Sequence, residues 1–413
     1  MTLRTALPAL ALSLAFVATA GAAGPTAHWV TSWAASPLPS GAIGPLPPAP
    51  SFSNQTIRQT VRISAGGGQL RLRLTNEYGT KPLKVGAATV AVIQADGSTG
   101  TAMPVNFAGE RSTLIPAGAP LLSDAVALKV APLAQLAISL YLPEDTGPCT
   151  CHTVGVQEAQ ISDTGDFTAT AFTPKQTAQY RAFLSGVEVD APGGRTIVTF
   201  GDSITDGVGS SPNKNHRWPD RFIERLHARK GGQVWAISNQ GISGNRVLEN
   251  GMGESALTRF DRDVISQPGV THVVIFEGVN DLGLSYGNPT GPNAERMKSM
   301  LPREKATAEK LIAGYRQLIA RAHAHGITVI GATIAPYEGA SYWSPEGEAQ
   351  RQKVNAWIRK GGEVDGVIDF DAAVRDPAKP SQMKDGLHMG DHLHGSDAGY
   401  EAMANAIDLG LFR

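Results

Sequence analysis

The chain has 413 residues, of which 42% are hydrophobic and 18% are charged, and its formal net charge at pH 7 is -1. This length suits two domains with sizeable cores. The chain has no basic excess that could neutralise phosphates, which argues against a nucleic-acid partner.

The N-terminus has the pattern of a secretory signal peptide. Arg4 supplies a positive charge, residues 6–16 are almost purely apolar, and small residues at 18–22 offer cleavage sites. The apolar stretch is too short to span a bilayer, and no later segment is long enough. The sequence therefore predicts a signal peptide at residues 1–24 and a secreted protein without a membrane anchor. An uncleaved apolar strand is the alternative.

Residues 25–190 are predicted to form a β-rich domain. Residues 70–75 alternate leucine with arginine, which is typical of a half-buried strand. Short strands between Gly, Pro and Asp turns favour a β-sandwich or jelly roll. The predicted strands are 56–63, 70–75, 85–93, 125–130 and 137–142. Residues 36–50, rich in Pro, Gly and Ser, are predicted to form a surface loop.

The chain has two cysteines, Cys149 and Cys151, separated by one residue. A bridge between them would lie near the upper limit of disulfide reach. Together with His152 the pair offers too few ligands for a metal. Two ordinary thiols and one local staple in a loop both remain open.

Residues 195–413 show a different pattern, in which apolar strands alternate with amphipathic helices. This alternation predicts an α/β domain with a five-stranded parallel sheet covered on both faces. The right-handed crossover rule then places the carboxyl ends of all five strands on one edge. The predicted strands are 196–200, 233–238, 272–276, 327–334 and 366–370, and the predicted helices are 217–229, 256–266, 306–325, 345–360 and 397–409.

Ser203 follows the first of these strands, within the segment Phe-Gly-Asp-Ser-Ile-Thr-Asp-Gly at 200–207. A serine on a tight strand-to-helix turn has its hydroxyl at the mouth of the sheet, near free backbone N–H groups. A helix N-cap is the alternative role. The nucleophile elbow G-x-S-x-G is not matched, because Thr205 stands where the second glycine would be.

Two further segments follow the second and third strands. A glycine in 239–245 can bring its N–H close to a reacting oxygen. Asn280, within 277–281, can donate an N–H to a developing oxyanion. Taken singly, each segment is explained as well by turn chemistry.

The last segment, Gly-Asp-His-Leu-His at 390–394, precedes the closing helix. Asp391 can orient an imidazole, and His394 can accept a serine proton. A zinc site using His388, Asp391, His392 or His394 is an alternative. It leaves the serine, glycine and asparagine segments unexplained.

Together, and in this order, the four segments resemble the GDSL/SGNH hydrolase family over residues 195–413. Within it the chain is similar to the secreted bacterial branch of XynE-type arylesterases, which carries a β-rich N-terminal region. The resemblance implies a flavodoxin-like three-layer fold without a cofactor or metal.

The resemblance also assigns roles to residues. It implies Ser203 as nucleophile, His394 as general base and Asp391 as the residue that holds it. His392, directly beside Asp391, is the less favoured base. The oxyanion hole would comprise the N–H groups of Ser203 and Gly244 and the amide of Asn280. Gly244 fits the family's local context better than Gly241, and Asp202 is expected to be structural.

The predicted function is a secreted serine esterase acting on short acyl groups, acetyl above all, in small-molecule or polysaccharide esters. The sequence has no stripe of Met or Phe residues of the kind that would indicate a groove for a long-chain lipid. Residues 282–302 are predicted to be a long irregular loop that shapes the pocket. Tyr337, Tyr342 and Trp343 either stack on a sugar or aryl group or simply pack. The alternative function is a carbohydrate- or surface-binding protein whose hydrolase domain is a degenerate scaffold.

Overall fold

The structure is a computed structural model that describes residues 27–39, 49–229, 232–292, 294–361 and 363–413. The predicted signal peptide and the greater part of the predicted loop at 36–50 lie outside these residues. Within them, no helix has both the length and the apolar composition needed to cross a bilayer.

The N-terminal region is built from antiparallel strands that form two principal sheets. One has the order β1-β14-β3-β8, and the other has the order β12-β11-β2-β9-β5-β6. The strands are β1 (Trp29–Ala34), β2 (Gln55–Arg62), β3 (Leu70–Thr75), β4 (Leu83–Val85), β5 (Ala87–Ile93), β6 (Met103–Pro104), β7 (Thr113–Ile115), β8 (Pro120–Leu122), β9 (Gln135–Leu142), β10 (Cys151–His152), β11 (Ala159–Thr164), β12 (Gln176–Ala178), β13 (Arg181–Ala182) and β14 (Leu184–Asp190).

The two sheets share one apolar core. Leu72 of β3 is fully buried, whereas Arg71 beside it points outward and pairs with Glu188 at 2.6 Å. Leu72 and Ile138 of β9, which belong to different sheets, lie in the same cluster of buried side chains. Two antiparallel sheets that bury their inner faces against each other form a sandwich, so the predicted β-rich N-terminal fold is confirmed.

The predicted strand at 125–130 is wrong. Val126 exchanges backbone hydrogen bonds with Leu70, and Val130 does so with Gly67, but the segment between them forms no ladder. The reason lies in β3, which already pairs with β14 on one side and with β8 along Arg73–Thr75 on the other. Too little of the edge is left to pair a further strand.

The C-terminal region has the predicted five-stranded parallel sheet. Its order is β16-β15-β17-β18-β19, which is the flavodoxin-like order 2-1-3-4-5. The strands are β15 (Arg195–Gly201), β16 (Trp235–Gly241), β17 (Val270–Phe276), β18 (Thr328–Ala332) and β19 (Gly366–Ile368). The α-helices are α1 (Ser203–Asp206), α2 (Trp218–His227), α3 (Ala256–Phe260), α4 (Val279–Tyr286), α5 (Ala294–Lys298), α6 (Ala308–Ala324), α7 (Pro345–Lys360), α8 (Phe370–Val374) and α9 (Asp397–Asn405).

Several predicted bounds differ from the structure. The helix predicted at 256–266 is α-helical only to Phe260 and continues as a π-helix over Asp261–Ile265. The strand predicted at 366–370 ends at Ile368, because Asp369 caps α8 by accepting a hydrogen bond from the Ala372 N–H. The predicted irregular loop at 282–302 is partly helical, since it contains the end of α4 and all of α5.

The two regions are packed together along β1 and β16. The hydroxyl of Ser64, which follows β2, accepts a hydrogen bond from the Ile237 N–H at 2.8 Å. The Thr31 N–H in β1 donates to Thr196 Oγ1 in β15 at 3.1 Å. Ala236 of β16 belongs to the apolar core of the N-terminal region. The two halves therefore bury surface against each other. The domain boundary predicted between residues 190 and 195 stays a prediction.

Candidate active site

Ser203 lies directly after β15, at the first position of α1. The carboxylate of Asp202 caps this short helix by accepting a hydrogen bond from the Ile204 N–H at 2.9 Å. A first-turn N–H has no partner within its own helix, and none of the described residues accepts a hydrogen bond from the Ser203 N–H, which leaves it available to a ligand. Gly201 makes the tight turn possible, because a Cβ there would lie 2.5 Å from the carbonyl oxygen of Phe276.

His394 and Asp391 meet Ser203 in one chain of hydrogen bonds. Nε2 of His394 is 2.8 Å from Ser203 Oγ, and Nδ1 is 2.5 Å from Asp391 Oδ2. The carboxylate can only accept, so Nδ1 carries the proton and Nε2 is left to accept from the serine hydroxyl. Partial burial raises the pKa of Asp391, but hydrogen bonds from His394 outweigh it and bring the pKa to about 2. Asp391 is therefore a carboxylate over the whole ordinary pH range.

Backbone contacts fix Asp391 against His394. Its Oδ1 accepts hydrogen bonds from the N–H groups of Leu393 and His394, both at 3.0 Å. The three-residue spacing thus folds into an Asx-type turn that presents the imidazole to the sheet.

The other histidines of this segment do not reach the serine. The rings of His388 and His392 stack on each other, with centroids 4.3 Å apart. In the part of the chain that the structure describes, no group of three or more His, Cys, Asp or Glu side chains could hold a metal ion. The zinc alternative for residues 388–394 therefore finds no support in the geometry.

Gly244 and Asn280 line the same pocket as Ser203. Gly244 has a φ of 76°, a conformation that favours glycine, and a Cβ there would approach Met252 Sδ to 2.9 Å. The amide of Asn280 donates one hydrogen bond to the Asn245 carbonyl at 3.0 Å, and its Oδ1 accepts from Tyr342 Oη at 3.1 Å. These contacts orient the amide and leave its second N–H available.

A neighbouring carboxylate holds the segment that follows Gly244. Asp281 accepts hydrogen bonds from the N–H groups of Val247 at 2.8 Å and Leu248 at 3.1 Å. Burial raises the pKa of Asp281 to about 6. Of these two neighbours, Asn280 is thus an oriented donor, and Asp281 fixes the segment that follows Gly244.

Arg259 ties the ends of the strands together beneath these residues. Its fully buried guanidinium donates to the carbonyl oxygens of Gly201 at 3.0 Å and Gln240 at 2.7 Å. Burial raises the pKa of Asp202 to about 7 and that of Glu277 well above its ordinary value. The floor of the site is therefore a buried network of one arginine among several acids. The sequence offered no sign of it, because its acids are up to 75 residues apart (Asp202 and Glu277).

The predicted site residues open into one cavity of about 990 Å³, a size that is typical of small-molecule sites. Both regions contribute to its wall. The hydrolase region supplies an apolar part, namely Met252, Leu284, Met297 and Met300, together with Arg296, and the N-terminal region supplies Pro50, Thr153, Val154, Gln176 and Tyr180.

Some of these lining residues could not be found from the sequence. Met297 and Met300 lie in and just after α5, whereas Met252 comes from the loop after Gly244, so the three form no continuous stripe along the chain. Tyr337 is fully buried and packs in the core, which rules out a stacking role for its ring. Tyr342 borders the cavity, but it acts there by hydrogen bonding to Asn280. The segment 282–302 does shape the cavity, although it is less irregular than predicted.

Comparison with known proteins agrees with this geometry. Residues 199–402 match the model of the GDSL-like lipase/acylhydrolase family. A search of curated proteins gives no match.

Solved structures similar to this chain cover about half of its length. A lipase/acylhydrolase from Enterococcus faecalis is 20% identical, with 51% of this chain and 92% of that chain covered and a TM-score of 0.37. A GDSL-like lipase from Bacteroides thetaiotaomicron is 20% identical, with 52% and 87% covered and a TM-score of 0.37. A variant of an acetyl xylan esterase from Geobacillus stearothermophilus is 22% identical, with 52% and 94% covered and a TM-score of 0.38. On the strength of the family match, residues 199–402 form a GDSL-like lipase/acylhydrolase domain, and the chain is a carboxylic ester hydrolase.

Proposed function

We propose that this chain is a secreted serine esterase that releases short acyl groups, acetyl above all, through an acyl-enzyme on Ser203. The observation that carries the proposal is the 2.8 Å contact between Ser203 Oγ and His394 Nε2, backed by the 2.5 Å contact of His394 with Asp391. A nucleophile, a base and a residue that orients the base are what acyl transfer requires.

In the proposed reaction, His394 takes the proton of Ser203 as the oxygen attacks the ester carbonyl. Asp391 keeps the imidazole in the correct tautomer and stabilises its charged form. His394 then returns the proton to the leaving alcohol, and the acyl-enzyme forms. Water, activated by the same imidazole, attacks the acyl carbon and releases the acid.

The oxyanion would be held by three donors, namely the N–H groups of Ser203 and Gly244 and the side chain of Asn280. In the structure no described residue accepts a hydrogen bond from the Gly244 N–H. Donors fixed in advance stabilise developing charge at no reorganisation cost.

The cavity bears on the choice of substrate. Its N-terminal wall carries polar groups from Thr153, Gln176 and Tyr180, which suit a hydroxylated alcohol moiety such as a sugar. The methionine-lined part, beside Gly244, favours a second candidate, an ester with a longer acyl chain, because methionine adapts to flexible apolar groups. A series of p-nitrophenyl esters from acetate to palmitate, beside acetylated xylan, separates the two. The highest kcat/KM on acetate supports the first candidate, and a maximum at longer chains supports the second.

Secretion is part of the same proposal. The Cys149–Cys151 disulfide supports it, since such bonds persist mainly in oxidising compartments. Mass spectrometry of the protein from its native host tests it. A mature N-terminus near residue 25, found outside the cytoplasm, is expected, and an intact Met1 in the cytoplasm contradicts it.

The mechanism is tested with Ser203→Ala and the matched control Ser211→Ala, whose side chain lies outside the cavity. The first variant should lose nearly all turnover of p-nitrophenyl acetate and all labelling by a fluorophosphonate, while the second keeps both. Wild-type protein that resists labelling would instead favour a binding protein with a degenerate hydrolase scaffold.

A further inference from the structure

A histidine of the N-terminal region is buried against the turn that carries Ser203. His152, in β10, is 5% exposed, and its Nε2 lies 2.9 Å from Oδ1 of Asp206, the last residue of α1. Its Nδ1 lies 2.9 Å from the carbonyl oxygen of Ser36. The carbonyl oxygen of Val154 is also 3.1 Å from Nε2. The side chain thus links the two regions beneath the candidate active site.

The surroundings of His152 determine its protonation. A neutral imidazole has one donor and one acceptor nitrogen, whereas the charged form has two donors. Both nitrogens of His152 face oxygens that can only accept, two of them backbone carbonyls and one a carboxylate. Only the imidazolium satisfies all of these contacts, so the His152–Asp206 contact is a buried ion pair.

Charged groups on the neighbouring elements act in opposite directions. Burial lowers the pKa of His152, and Arg217 lowers it further, but the Asp206 carboxylate outweighs them and the net pKa is raised. Arg181 lies opposite His152 across the β10–β13 ladder, and its guanidinium contacts only neutral oxygens of Gly155 and Gln157 among the described residues. Asp206 is therefore the acid on which the proton of His152 depends.

The other oxygen of Asp206 continues the link. Its Oδ2 accepts hydrogen bonds from the Ser243 N–H at 3.2 Å and from Ser243 Oγ at 2.9 Å. Ser243 directly precedes Gly244, which lines the cavity. The β16 end is also packed on α1, because a Cβ on Gly241 would lie 2.3 Å from the Asp206 N. Asp206 therefore fixes Gly244 relative to the helix that begins with Ser203.

We propose that His152 is a positioning residue of the hydrolase site, through which the N-terminal region sets the place of the Gly244 oxyanion donor. As an imidazolium it holds Asp206, and Asp206 holds the Ser243-Gly244 turn. The inference rests on the proposed function in that it takes Gly244 as an oxyanion donor. It gives the N-terminal region a part in catalysis besides lining the cavity.

The test compares His152→Phe, which keeps a ring but loses both donors, with His152→Gln, which keeps one donor toward Asp206. A small displacement of a catalytic group costs about 10²-fold in rate, so kcat of His152→Phe should fall by about 10–100-fold, with KM much less affected. His152→Gln should keep most of the wild-type kcat. The matched control is His227→Phe, since His227 also bridges the regions, by a 2.8 Å contact to the Ser64 carbonyl, but does not touch the site. It should leave kcat unchanged.

A pH profile separates positioning from a purely structural role. The wild type should lose kcat at alkaline pH as His152 gives up its proton, and His152→Gln should lack this decline. If kcat depended on alkaline pH in the same way in the two proteins, the proposal that His152 acts as an imidazolium would be overturned. Full kcat in folded His152→Phe would overturn the positioning role.

Ser243→Ala provides a second route if His152→Phe does not fold, because it removes one hydroxyl from a loop. A reduced kcat at nearly constant KM supports the proposal, and an unchanged kcat overturns it. Failure of the proposed function has a different signature, namely turnover that survives Ser203→Ala.

Discussion

Replacing Asp391 by asparagine tests the most sharply defined contact in the site. In Asp391→Asn, the amide oxygen should keep the two hydrogen bonds from the Leu393 and His394 N–H groups, since only an acceptor fits there. The NH₂ group then faces His394 Nδ1, where Oδ2 now accepts at 2.5 Å. A donor in that place forces Nδ1 to accept, and the ring proton moves to Nε2. Nε2, 2.8 Å from Ser203 Oγ, can then no longer take the serine proton.

The expected loss follows from this change of tautomer. In serine proteases the same substitution lowers kcat by about 10⁴, which at 1.36 kcal/mol per tenfold corresponds to about 5.4 kcal/mol of transition-state free energy. The assay is the kcat for p-nitrophenyl acetate at neutral pH, with the rate of fluorophosphonate labelling measured in parallel. The melting temperature should change little, because the loop keeps its backbone contacts. A folded variant with more than a tenth of wild-type kcat would refute the role of Asp391.

Three further predictions concern the residues around this contact. Tyr342→Phe removes the hydroxyl that orients Asn280, so kcat should fall. The loss should be smaller than the factor of about 10²–10³ expected when an oxyanion donor itself is removed. The matched control Tyr337→Phe should leave kcat unchanged, because the Tyr337 hydroxyl has no hydrogen-bond partner among the described residues. Arg259→Met leaves buried acids and carbonyls without their donor and should lower the free energy of unfolding in urea by about 3–5 kcal/mol; an unchanged midpoint would contradict this. The folded pKa of His152 is raised, so its stabilising contribution is complete below its unfolded value of about 6.5 and is lost as the pH rises through the folded value. The difference in melting temperature between wild type and His152→Phe should therefore shrink with rising pH, and a constant difference would count against a titrating pair.

The five-stranded parallel sheet was within reach of the sequence because apolar runs and helices alternate at regular spacing. The same regularity placed Ser203, Gly244 and Asn280 after successive strands, at one edge of the sheet. The carboxyl ends of parallel strands necessarily meet there. Asp391 and His394 were recognisable because their contact is local in the chain.

Long-range contacts were out of reach for the opposite reason. His152 lies 54 residues from Asp206, and neither residue type nor spacing connects them. Nor does a single segment reveal the methionine-lined wall, since it is assembled from α5, its flanks and the loop after Gly244. The predicted strand at 125–130 failed for a related reason. It fitted the pattern of short strands between turns, but pairing depends on a partner edge that β14 and β8 had already largely filled.

The packing of β1 and Ser64 on β16 has a consequence for attempts to divide the chain. β16 ends the parallel sheet, so its outer side would present unpaired backbone N–H and C=O groups if nothing covered it. Ser64 occupies part of that side through its bonds to Ile237. A hydrolase fragment cut free at residue 195 would carry a bare strand edge beside an uncovered apolar surface, and we expect such fragments to associate edge to edge and to precipitate as they refold.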